Sequence, residues 1–117
     1  MLTINTEYRN GILFVRLKGK FTKDSISKFN KKVINKIIDG GICNVVFNVI
    51  NLKQIDIKGI NALLYSYELC KRKDGCTLLC GNNDRIKMKV KRSRILNYIL
   101  EISNELTATK IIKMRVR

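Results

Sequence analysis

The side chains that could do chemistry are unevenly supplied in this chain. Its 117 residues contain no histidine and no glycine-rich phosphate loop. Nothing can therefore be assigned as nucleophile or general base, and catalysis is not expected. The four cysteines, Cys43, Cys70, Cys76 and Cys80, lack C-x-x-C spacing. Cys76 and Cys80 read as parts of one strand, in which four residues span about 13 Å, too far for both to hold one ion. Reduced, buried thiols are expected, with no metal and no cofactor.

Charge is the chemistry that remains. Lys and Arg number 24 against 9 Asp and Glu, a formal net charge of +15. The densest run holds Arg85, Lys87, Lys89, Lys91, Arg92 and Arg94, interrupted by the apolar Ile86 and Val90. Such a ridge could grip phosphates, which makes nucleic acid a candidate partner. Against this, the ridge lacks stacking aromatics and no nucleic-acid motif is present, so a solvated helix face is the preferred reading. The surplus also has a second explanation. Ile (17), Lys (16) and Asn (12) are all abundant and all have A/T-rich codons, so the charge reflects either function or coding bias.

The elements that must position these residues follow from the hydrophobic pattern. Leu2 to Tyr8 and Ile12 to Lys18 alternate apolar and polar around Arg9-Asn10-Gly11, a signal for two antiparallel strands. Asp24 is placed to cap a helix in which Ile26, Phe29, Val33 and Ile37 recur at helical spacing before Gly40-Gly41. Asn44 to Ile50 reads as a central strand covered on both faces. A six-residue connection then ends at Asp56, and Ile60, Leu63, Leu64 and Tyr67 form a second helical stripe. Cys76 to Cys80 reads as a strand parallel to the central one. Asn83 or Asp84 caps a third helix through about Arg92, Tyr98 to Ile102 forms a last strand, and Ser103 opens a terminal helix. The sum is a single α/β domain over residues 1–117, a mixed sheet of about five strands with about four helices packed on it. No run approaches the roughly 20 apolar residues of a membrane span, and Met1 to Asn10 lacks a basic head and apolar block, so a cytoplasmic protein is expected.

In this order of elements the chain resembles the STAS domain, the fold of bacterial anti-sigma-factor antagonists. The resemblance is strongest over Asn44 to Leu64, NVVFNVINLKQIDIKGINALL, where Asn48, Leu52, Ile55, Asp56, Gly59 and Leu63 match an apolar strand, a short connection and an Asp-Ser-x-Gly helix start. Gly19 after the second strand and Gly75 before Cys76 also match. The resemblance implies a non-catalytic regulator that binds an anti-sigma factor of the serine-kinase type and so frees a sigma factor. The docking residues it implies are Gln54, Asp56, Ile57, Lys58, Gly59, Ile60 and Asn61. A docking subunit of a larger assembly, in lipid transport or a stress scaffold, is another role open to the family.

In the family the residue after the Asp is a serine that the partner kinase phosphorylates to block docking. Here it is Ile57, and Lys58 follows where something small and polar is usual; Arg94 replaces a common glycine. A phosphate at the first turn of a helix would be held by unpaired N–H groups and the positive end of the dipole. Isoleucine offers no hydroxyl for it. It offers apolar area instead, worth about 1.5–3 kcal/mol if a partner buries it fully. Asp56 reads as helix cap, partner contact or both, and Ile57-Lys58 as docking surface or drift. Thr22, Ser25, Ser27 and Ser66 read as ordinary surface or capping hydroxyls. A monomer or weak dimer is expected.

Overall fold

The computed structural model describes residues 1–115. The turn Asn10-Gly11, both residues at positive φ, joins β1 (Leu2–Arg9) to β2 (Ile12–Phe21) as an antiparallel hairpin. β3 (Asn44–Ile55), β4 (Cys76–Cys80) and β5 (Leu100–Ile102) each add in parallel, giving a single sheet of order β1-β2-β3-β4-β5. Four helical elements link and cover the strands. The first, α1, spans residues 23–39 as a 3-10 turn (Lys23–Ser25), an α turn (Ile26–Phe29), a π turn (Asn30–Ile34) and a final α turn (Asn35–Asp39). Then come α2 (Ile57–Lys71), α3 (Lys87–Ser93), a 3-10 turn (Ile95–Asn97) and α4 (Glu105–Arg115). The mixed five-stranded sheet with four helices is the architecture read from the sequence.

The two faces of the sheet are covered unequally. Leu13, Val15 and Leu17 of β2, with Val45, Phe47 and Val49 of β3, point into a large core under α1, α2 and α3. A stack of Phe21, Phe29 and Phe47, with ring centroids 4.7 and 6.1 Å apart, joins sheet to helix there. On the other face Ile12, Phe14, Val46, Leu78 and Cys80 meet Ala108 and Ile112 of α4 in a small core. Cover on both faces explains why Ile12 to Val15 are buried without interruption, where strict alternation is expected of the hairpin's second strand.

Several boundaries differ from the sequence reading. Residues 51–55, expected as connection, continue β3: Asn51, Leu52, Gln54 and Ile55 pair with Lys18, Gly19, Lys20 and Phe21 across two register shifts. Those shifts break the period-two pattern that would have marked the strand, and they place Gly19 within β2 rather than after it. Asp24 makes no cap; the N–H of Lys23 is bound instead by the carboxylate of Asp56. The helix after Asn83 starts at Lys87, the last strand starts at Leu100, and Asn104 rather than Ser103 caps α4 through the N–H of Thr107 at 2.8 Å. Cys70 and Cys80 are buried, and burial pushes both thiols up, Cys80 to about 11; Cys43 and Cys76 are only half-buried, contrary to expectation.

The outer edge of the sheet is β1. Lys28 of α1 reaches over it to donate to the carbonyl of Leu2 at 2.6 Å, and Lys36 donates to the Thr6 hydroxyl at 2.8 Å.

Candidate docking surface

The segment that carries Asp56 is held at the C-terminal edge of the parallel strands by backbone as much as by side chains. Asp56 is extended (φ −105°, ψ −177°), its N–H donates to the Phe21 carbonyl at 3.2 Å, and its own carbonyl accepts from Ile60. One carboxylate oxygen accepts from the Gly59 N–H and the other from the Lys23 N–H, both at 2.9 Å. Asp56 is thus the cap of α2 and also ties down the start of α1. Burial pushes its carboxyl up, but the N–H groups of Gly59, Lys23 and Lys58, with the nearby Lys89 ammonium, outweigh this and hold it below its ordinary 3.8.

Gly59 is required by close approach. A Cβ there would lie 2.4 Å from the Phe21 carbonyl oxygen and 2.9 Å from Ile55 Cγ1. Having no side chain there lets α2 start hard against the end of β2, and the helical twist turns residues of its first turn to opposite sides. Ile57 stands 58% exposed and Lys58 is exposed, whereas Ile60 is 1% exposed and belongs to the large core. Of the seven expected docking residues, Gln54, Ile57, Lys58 and Asn61 are exposed and Asp56 is half-buried; Gly59 and Ile60 are buried and can act only by shaping the others. Ser25 and Ser66 are buried too, donating to the carbonyls of Lys20 and Ala62.

The basic ridge comes near this turn at Lys89. Ile86 and Val90 anchor α3 in the large core, while Arg85, Lys87, Lys89, Lys91, Arg92 and Arg94 are all exposed. Arg85 precedes the helix, and Arg94 closes it in the left-handed region (φ 62°), the conformation for which glycine is the easier residue. Lys89 acts on the Asp56 carboxylate across the gap between α3 and α2.

The residue that positions this ridge is one the sequence reading took for a simple cap. The Asn83 side-chain amide lies 3.0 Å from each of three carbonyls at the end of β3, those of Val49, Ile50 and Leu52, and its oxygen accepts from the Arg85 N–H. An asparagine before a helix is a signal for a cap, and nothing in it marks a contact more than 30 residues away. Asn83→Ala should cost about 1–3 kcal/mol, because it leaves partly buried carbonyls unpaired. Urea unfolding followed by circular dichroism measures this, and no loss would mean that water replaces the amide freely.

The STAS domain family matches residues 3–109. The chain belongs to the STAS-domain family. A similar STAS protein is an anti-sigma F factor antagonist of Paenibacillus polymyxa, 26% identical over 108 residues, with 92% of each chain covered. An anti-sigma factor antagonist from Mycobacterium paratuberculosis shares the STAS fold with a TM-score of 0.84 at 12% identity, over 97% of this chain and 95% of that one. The anti-sigma factor antagonist SpoIIAA in its unphosphorylated form aligns with a TM-score of 0.76 at 16% identity, over 98% of this chain and all of its own. Among the described residues of this STAS domain no helix is long and apolar enough to cross a membrane.

Proposed function

We propose that this STAS domain is an anti-sigma-factor antagonist of the cytoplasm, binding an anti-sigma factor of the serine-kinase type stoichiometrically and so freeing a sigma factor. The observation that carries the reading is Ile57: an exposed apolar side chain, on the first turn of a capped 15-residue helix, at the position where the resemblance implies a phosphoacceptor serine. The Paenibacillus relative supports the choice of partner. Docking here is constitutive, because no hydroxyl is offered at the position the kinase would modify.

The test is binding to the serine-kinase-type anti-sigma factor of the same cell, with and without ATP. The native protein should bind equally in both cases and take up no phosphate at this turn. Ile57→Asp, which puts a charge where the apolar contact forms, should weaken the complex at least about tenfold, the loss of roughly 1.4 kcal/mol of buried apolar contact. Absence of binding by the native chain, or equal binding by Ile57→Asp, would sink the proposal.

A further inference from the structure

The surface around Ile57 is far more positively charged than docking by apolar contact requires. Lys20 and Lys53 are exposed at the ends of β2 and β3, Lys23 begins α1 beside Asp56, Lys58 follows Ile57, and Lys89 lies near the Asp56 carboxylate from α3. Among the described residues the ion pairs within 4.0 Å all involve Arg9 or Arg16, with Glu7 or Glu105, so none of these five cations is paired. Asp56, the acid at their centre, has both oxygens engaged by backbone N–H groups. Asp24, next to Lys23 in the chain, adds a further negative charge.

These cations rise from the strand ends and helix starts next to one exposed apolar side chain, Ile57. We infer that the partner's docking face is acidic: a ring of Asp and Glu side chains about an apolar recess that receives Ile57. This rests on the docking reading above and adds the partner's chemistry. The cations steer encounter and reject basic or neutral competitors, while Ile57 supplies the short-range contact.

The experiment measures association rates with the serine-kinase-type anti-sigma factor of the same cell by stopped flow, across salt. At about 50 mM salt, Lys20, Lys53, Lys58 and Lys89 all replaced by Gln should slow association at least about tenfold, and the native rate should fall steeply towards about 300 mM. The control replaces Lys71, Arg72, Lys110 and Lys113 by Gln. The first two lie at the far end of α2, about 21 Å from Ile57, and the last two on α4, so this variant should change the rate less than about twofold. Equal effects of the two variants would overturn the inference and leave the charge as generic. A native rate independent of salt would also overturn it. If the first variant instead lost binding to a 30-base-pair DNA duplex while keeping its partner rate, the cations would serve nucleic acid. Failure of the native chain to bind the anti-sigma factor at all would remove the docking reading itself, an outcome distinct from these.

Discussion

Gly75→Ala should lower the stability of this domain by about 3 kcal/mol, or roughly 10–15 °C in Tm for a chain of this length. A Cβ on Gly75 would fall 1.7 Å from the carbonyl oxygen of Cys43 and 2.5 Å from its carbonyl carbon. Both are backbone atoms, so no rotamer change gives relief. That same carbonyl accepts from the Cys76 N–H at 3.0 Å, the bond that starts β4 alongside β3, so the clash opens the sheet at its centre. Gly59→Ala is the instructive comparison. Its Cβ also meets a carbonyl, at 2.4 Å, but the position is helical and alanine recovers about 1 kcal/mol of helix propensity. Its loss should therefore be the smaller of the two. Thermal melts of both variants decide the matter, and a Gly75→Ala protein melting within about 2 °C of wild type would show that the loop yields where the geometry says it cannot.

The second large effect is expected on the far face of the sheet. Arg16 grips Glu105 with two nitrogens at 2.9 and 2.8 Å, and also reaches Glu7 and Asn5; Asn48 donates to the same Glu105 carboxylate. These contacts clamp the first turn of α4 onto β2 and β3. The Arg16 side chain is 35% exposed and that of Glu105 19%, between a surface pair worth under about 1 kcal/mol and a buried one costing about 3–5 to break. Arg16→Ala should cost about 2 kcal/mol. The clamp also carries a pH dependence. The Arg16 hydrogen bonds hold the Glu105 carboxyl below its ordinary 4.5, against its partial burial and with help from Asn48. Its stabilisation is therefore complete above 4.5 and is lost as pH falls through the depressed folded value. Glu105→Gln should be less stable near neutrality and should lose stability less steeply below about pH 4.5 than wild type. Parallel acid slopes for the two proteins would show that Glu105 does not sense the clamp.

How much of this was legible depended on the range over which each signal acts. The hairpin, the central strand, the β-α-β unit and the α2 stripe follow from local periodicity, and each is present in the expected order, β2 and β3 running on past their expected ends. β3 was read five residues short because its pairing with β2 shifts register, so Leu52 and Ile55 are buried without the alternation that announces a strand. The turn proposed for docking stands out by its residue types, but which of its side chains are exposed does not. Ile60 belongs both to the apolar stripe and to the proposed docking turn in sequence, and in the structure it joins the large core with Leu63. The second bond of Asp56, the three carbonyls held by Asn83 and the clamp between Arg16 and Glu105 join residues 31 to 89 positions apart. No local pattern encodes such pairs.

The lysines over β1 bear on how copies of this chain meet each other. An exposed eight-residue edge strand invites a neighbour to extend the sheet, the route that leads to runaway polymers. Here an ammonium already occupies the Leu2 carbonyl and a second stands on Thr6, so an incoming strand would have to displace two charges and bury them. At the opposite edge β5 offers only three residues to copy. The two edges of the sheet are thus guarded by different means, β1 by lysines and β5 by its brevity.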